Sequence, residues 1–257
     1  MLTPQFSMSC SPAVSAPSRA QTARRFHGSP SASSLVWKKN EPDSKLDGKR
    51  QSVDGYMGTR DRSWGVRPVG ARDSQDIVPP QAPQFFWIWS PSNFESGSFF
   101  FHTNDDADGE PWNRRAVWAR EGADAAGLHD IENCGVNIRY KQGTRHAQEA
   151  TVWLKERGGE REVTFEPQFD FFMRGLGYGH PKWGHGTLHG EVEVEREDTK
   201  LSEVNLQNPG VLHIQAISKV TYKDGQGGGQ VGRGVLEQLI MGPHAPSGFK
   251  GMLDWAP

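Results

Sequence analysis

Two cysteines in 257 residues, Cys10 and Cys134, are too few for a disulfide framework, and no C-x-x-C pair is present for a metal. The chain has no apolar run of the roughly 18 residues that a membrane-crossing helix needs. A net charge of −2 gives no general attraction for nucleic acid or an anionic membrane. The glycine-rich run from Gly225 to Gly234 lacks a Walker lysine and a following helix, so it reads as a loop and implies neither nucleotide nor flavin. No G-x-S-x-G elbow occurs, which argues against Ser-His hydrolysis, although His244 and Ser247 lie close enough to form a small polar site. No segment shows a long amphipathic helical period; Asp124 to His129 supports at most one short turn.

The first fifty residues lack apolar periodicity, and no acidic residue precedes Glu41. They are rich in Ser, Pro, Arg and Gln, the composition of a disordered tail. Arg19, Arg24, Arg25, Lys38 and Lys39 also suit an organellar transit peptide, with A-R-R-F-H-G-S as a cleavage region. A plain tail or a misplaced gene start are the alternatives. A cytoplasmic protein is expected, or an organellar one if residues 1–30 are a targeting segment. A secretory signal is not supported, because no apolar core follows the start.

What the chain has in quantity is glycine (30), proline (17) and aromatic residues (10%). These mark turns between short strands. Strands are expected at Phe85 to Trp89, Ser98 to His102, Arg115 to Ala119, Val136 to Lys141, Ala150 to Glu156 and Glu162 to Pro167. Three longer ones follow at Thr187 to Glu197, Val211 to Tyr222 and Val231 to Met241. In the first of these, Leu188, Val192 and Val194 share one face and Glu191, Glu193 and Glu195 the other. The fold class is all-β, an antiparallel up-and-down barrel, which removes exposed strand edges. Residues 1–50 are the tail, 51–80 a separate strand region and 81–257 the barrel.

The densest cluster of chemistry is G-Y-G-H-P-K-W-G-H-G-T-L-H-G-E, Gly177 to Glu191. It holds His180, His185, His189 and Trp183. Imidazole is the commonest zinc ligand, but three ligands must converge and the spacing does not require it. One of these histidines could serve as a general acid or base, or all could bond loop to barrel. Trp183 and Trp64, both at W-G corners, are expected to be buried.

Three segments carry a family resemblance: G-T-R-D-R-S-W-G-V-R at Gly58 to Arg67, G-H-P-K-W-G-H-G at Gly179 to Gly186, and G-V-L-E-Q-L-I-M-G-P-H-A-P-S-G-F at Gly234 to Phe249. In this order they resemble lipocalin-like (calycin) proteins of the AttH and carotenoid 1,2-hydratase (hydroxyneurosporene synthase) superfamily. The resemblance runs from about Gly55 to the C-terminus and implies two consecutive calycin barrels, with ligands in barrel cavities or between barrels. The chain departs from that pattern: most of a first barrel is missing before R-D-R-S-W-G, and residues 51–80 would be its remnant strand.

Read without the family, Arg60, Arg62 and Trp64 alternate to one side of a strand and Asp61 to the other. They form either an anion clamp or an Arg-Asp-Trp lock at a barrel corner. Glu237 stands between apolar neighbours; pointed into a dry lumen it would titrate high and could protonate an alkene, and pointed outward it could pair with Arg233. The functional expectation is binding of a hydrophobic small molecule (terpenoid, steroid or polyketide-like) in the lipocalin-like barrel or at its junction with the R-D-R-S-W-G strand, with acid-base hydration, cyclisation or isomerisation as the chemistry. A non-catalytic carrier and a structural fragment are the alternatives. Glu237 or His185 would be proton donor and Arg62 the orienting group. Arg60, Asp61, Trp64, Trp87, His180, Trp183, His189, His213 and His244 would line the ligand. No metal or cofactor is expected.

Overall fold

The computed structural model describes residues 33–36, 43–46, 49–52, 57–60, 84–120, 127–177, 180–184 and 187–257. The chain falls into two units, Met1–Val66 and Arg67–Pro257. In the first, strands β1 (Ser33–Val36) and β4 (Met57–Arg60) pair antiparallel, as do β2 (Asp43–Leu46) and β3 (Lys49–Ser52). Three of these strands begin within residues 1–50, where composition alone gives no apolar period.

The second unit is all-β. Its strands are β5 (Phe85–Phe94), β6 (Gly97–Asp105), β7 (Pro111–Arg120), β8 (Leu128–Ile131), β9 (Cys134–Tyr140), β10 (Ala147–Glu156), β11 (Gly159–Phe172), β12 (Ile214–Lys223) and β13 (Gly229–Met241). They form one antiparallel sheet in the order β8-β7-β6-β5-β13-β12-β11-β10-β9. Consecutive strands pair except β8 and β9, which stand at the two ends of this order, and β5 and β13, first and last in the chain, also pair antiparallel.

That last ladder shows how the strands are connected. Nine strands, each reversing direction, would leave β5 and β13 parallel. They are antiparallel, so one connection does not reverse. It is Glu132–Asn133, where β8 runs on into β9: the first half pairs with β7 and the second with β10. Asn133 O still accepts from Lys155 N at 2.8 Å, carrying the β10 ladder into the kink. Two of the nine strands are thus successive halves of one stave, and the sheet of this unit curls into an antiparallel half-barrel whose order ends at β8 and β9.

Eight staves leave a lumen just wide enough for side chains to fill or for one small ligand. In the described residues side chains fill it. Phe86, Ile88, Phe99, Phe101, Phe165 and Leu236 lie in one continuous buried cluster. Trp118 stacks on Phe94 and meets Tyr222 at one end of it. Burying each such side chain stabilises the fold by roughly 1.5–3 kcal/mol. β13 reaches β5 closely because Gly232 faces inward there: a Cβ would stand 2.2 Å from Asn93 O.

The opposite end is closed by the segment after β13. Arg145, fully buried, donates to Gly242 O (2.7 Å), Gly251 O (2.9 Å) and Asp254 O (2.7 Å), meets Asp254 Oδ1 at 2.5 Å, and lies 4.1 Å over the Phe249 ring. Four acceptors on one guanidinium fasten the C-terminal segment across the barrel end.

The strand expected at Thr187 to Glu197 does not form. Its alternation is real, but β11 and β12, which flank it in the chain, pair with each other and leave no place between them. Leu188, Val192 and Val194 are exposed instead. Of the helical turn expected at Asp124 to His129, residues 124–126 lie outside the described residues, Gly127 is in a 3-10 turn, and Leu128 and His129 belong to β8. Among the described residues no helix is long and apolar enough to cross a membrane.

Candidate functional site

Strand parity sorts the polar residues of the barrel. On β13, Leu236, Gln238 and Ile240 point into the lumen, which puts Glu237 and Leu239 on the outer face. Gln238 is spent inside: its Oε1 accepts from Ala147 N (3.0 Å) and its Nε2 donates to Arg145 O (3.2 Å). Glu237 therefore does not meet the dry lumen that the sequence allowed for, nor does it take Arg233, which is exposed. Its Oε1 lies 2.5 Å from His213 Nε2, and Gln215 Nε2 donates to its Oε2 at 3.3 Å.

The register builds the rest of this face. Gln215, Glu237, Trp89, His102 and Arg115 are directly opposed, strand to strand, on β12, β13, β5, β6 and β7. The next rung carries Leu239, Trp87, Asn104 and Asn113. Trp87 lies 5.7 Å from the His213 ring, and Trp89 meets Phe100 edge-on. His102 Nε2 is bonded to Asn113 Oδ1 at 2.9 Å, and burial holds its imidazole below the ordinary value.

An outer face is ordinarily solvated. Here Glu237 is 0% exposed, His213 1% and Trp87 5%. Withdrawing a carboxylate and an imidazole from water costs several kcal/mol per ion once charged, and a pair of leucines would fill the space without that cost. The position is expensive for stability alone, which marks it as a candidate for chemistry. The pair can hold a proton between Oε1 and Nε2, take one up or give one away, beside indole walls and an amide.

A second polar group sits inside, at the closed end. Arg114 Nη2 donates to both Asp105 oxygens at 3.0 Å, and Thr103 Oγ1 donates to Asp105 Oδ1 at 2.5 Å. His244 stacks on Phe86, ring to ring at 3.9 Å, and its Nδ1 lies 2.7 Å from Ser247 Oγ. Burial pushes the Asp105 carboxyl up, but the nearby His244 ring, the Thr103 hydroxyl and the Arg114 guanidinium outweigh it, so its pKa lies below the ordinary 3.8. A carboxyl depressed on folding adds stability that is present above its unfolded pKa and lost as pH falls through the folded one. Thermal melts are therefore expected to drop as the pH is taken below about 4, with a smaller drop in Asp105→Asn, which has no such carboxylate to protonate.

The histidine-rich motif is a third arrangement, separate from these two in its bonding. His180 Nδ1 accepts from Trp183 N (2.8 Å) and Lys182 N (3.2 Å), which leaves Nε2 to donate to Glu197 Oε2 at 3.2 Å. Trp183 Nε1 donates to Glu195 Oε2 at 2.5 Å, and His189 Nε2 bonds Lys182 O at 2.6 Å. Glu195 and Glu197 thus clamp the loop to itself. Trp183 is half-buried rather than buried, and His189 is exposed. Among the described residues no three His, Cys, Asp or Glu side chains converge as a metal site.

Of the remaining expected site residues, His185, Asp61, Arg62 and Trp64 lie outside the described residues, and Arg60 is placed only as the last residue of β4. Glu237, His213 and Trp87 come together, and His244 meets Ser247. Arg145, Asp105, Arg114 and Tyr140 were not anticipated. Parity could have found Asp105: the alternation Phe99, Phe101, Thr103 continues straight into it, although N-D-D-A-D-G-E-P reads as a polar loop.

Comparison with curated proteins gives no match. Among solved structures, kievitone hydratase from Nectria haematococca is similar, at 12% identity and a TM-score of 0.39 over 77% of this chain and 49% of that one. The chain spans about half the length of that protein. The profile of a family of unknown function, DUF8625, covers residues 41–250, and the chain belongs to that family.

Proposed function

We propose that the protein binds an apolar small molecule of the terpenoid, steroid or polyketide kind at the outer-face cluster, and that Glu237 and His213 exchange protons with it. The observation that carries this reading is a carboxylate and an imidazole, 2.5 Å apart and withdrawn from water, on a barrel face that is normally solvated. A few convergent polar groups among aromatic walls are the usual make-up of a ligand site. The filled lumen moves the site away from the barrel interior, where the aromatic load of Phe86, Phe99 and Phe101 is consumed in packing.

The reaction would be hydration, cyclisation or isomerisation by acid-base catalysis, which needs no nucleotide, flavin or metal. This is also the chemistry implied by the resemblance to the AttH and carotenoid 1,2-hydratase superfamily. Within the proposal Glu237 is the proton donor, His213 its proton partner, and Trp87 the wall. Arg62 as an orienting group, His185 as a second donor and Arg60, Asp61 and Trp64 as lining residues rest on sequence alone.

Tryptophan fluorescence titrated with terpenoid and steroid probes tests the binding step, and product analysis of the same mixtures tests the catalytic one. Saturable quenching with conversion is expected. Quenching without conversion would leave a carrier, and no response across the panel would remove both.

A further inference from the structure

The closed end of the barrel holds a line of polar groups that the proposed function does not use. Tyr140 Oη lies 2.6 Å from Ser247 Oγ, Ser247 Oγ lies 2.7 Å from His244 Nδ1, and His244 Nε2 lies 3.8 Å from Asp105 Oδ2. His244 is 3% exposed, and its Nε2 has no hydrogen-bond partner among the described residues. Ser247, by contrast, is half-buried, in the exposed turn Ala245–Ser247.

The donor inventory fixes the direction of this line. Asp105 is held ionised by Arg114 and can only accept. A neutral His244 therefore carries its proton on Nε2, facing Asp105, and presents the Nδ1 lone pair to Ser247. Ser247 spends its one proton on Nδ1, so Tyr140 must donate to Ser247 Oγ. Burial pushes the Tyr140 phenol up, which keeps that proton in place. Phe86, stacked on the imidazole, fixes the ring plane. The roles are nucleophile, base and orienting carboxylate, and such sets are recognised by geometry and not by a sequence motif. The missing G-x-S-x-G removes one kind of elbow, not this arrangement.

We infer that Ser247 is an activated nucleophile toward small uncharged carboxylic esters, with His244 as its base and Asp105 as the group that orients the base. In the acylation step Ser247 Oγ attacks the ester carbonyl carbon while its proton passes to His244 Nδ1. The C–O bond of the ester then breaks, and the departing alkoxide takes the proton from Nδ1. Water, deprotonated by the same Nδ1, hydrolyses the acyl-serine, and the proton returns to Ser247 Oγ. Tyr140 Oη–H, adjacent to Oγ, is placed to donate to the developing oxyanion.

A fluorophosphonate probe tests this without knowledge of the natural ester, because Ser Oγ displaces fluoride from phosphorus by the same activation. The folded full chain is expected to take one adduct on the tryptic peptide 234–250, at Ser247. S247A should take none there, and H244Q should label about 10²-fold more slowly or worse. Y140F keeps the ring that packs on Phe249 and carries the test should H244Q fail to fold; it should label about tenfold more slowly. No adduct on Ser247 in the folded wild type overturns the inference, and so does an unchanged labelling rate in H244Q or Y140F.

Discussion

Replacing Arg145 by methionine is expected to destabilise the barrel by roughly 3–5 kcal/mol, the usual cost of removing one partner from a buried ionic network. The side chain is wholly buried, and three main-chain carbonyls, at Gly242, Gly251 and Asp254, take their hydrogen bonds from it. Methionine fills much of the same volume and would keep contact with Phe249, so the loss isolates the polar contribution. Urea melts measure it: the midpoint should fall with little change in slope. An unchanged midpoint would mean that the C-terminal segment does not depend on this guanidinium.

Glu237→Gln is expected to lower turnover of any substrate of the proposed class by about 10²–10⁴-fold, the range ordinarily supplied by a general acid or base. The amide keeps the shape and retains a hydrogen bond to His213, but it cannot deliver a proton. Single and double replacements separate chemistry from stability. Glu237→Leu alone leaves the His213 imidazole without its carboxylate in a covered position and should cost on the order of 3 kcal/mol. Glu237→Leu with His213→Leu removes both polar groups and should recover most of that loss while remaining inactive. A double variant as unstable as the single one would show that the pair is structural cement.

Much of the barrel is legible in the alternation of residues. Phe86 and Ile88 against Trp87 and Trp89, or Leu236 against Glu237, state which side faces inward once a strand is assumed. What alternation cannot supply is the partner. Leu188, Val192 and Val194 alternate as well as any real strand, yet β11 and β12 on either side of them in the chain pair with each other, and only the topology reveals that no place is left between the two. The candidate site divides in the same way. Glu237 was visible as a carboxylate among apolar neighbours, but its partner His213 stands just before β12, and only the pairing of β12 with β13 brings them together. Arg145 gives almost no local sign. It sits in a G-T-R-H-A turn, and its acceptors are main-chain carbonyls about a hundred residues away, which no side-chain pattern records. In the histidine motif the sequence leaves metal binding, acid-base work and structural bonding open; among its described residues, His180, Trp183 and His189 bond within the loop segment.

The central claim is that the outer face, not the lumen, is where this protein meets its ligand, and two tryptophans report on the two places. Trp87 stands on the outer face beside His213, while Trp118 is packed in the lumen against Phe94. Fluorescence titration of terpenoid and steroid probes into the wild type, W87F and W118F separates them. Quenching that persists in W118F and is largely lost in W87F is the predicted result. Quenching that survives in W87F and disappears in W118F would place the ligand inside the barrel and contradict the assignment of Glu237 and His213 as its proton-exchanging pair.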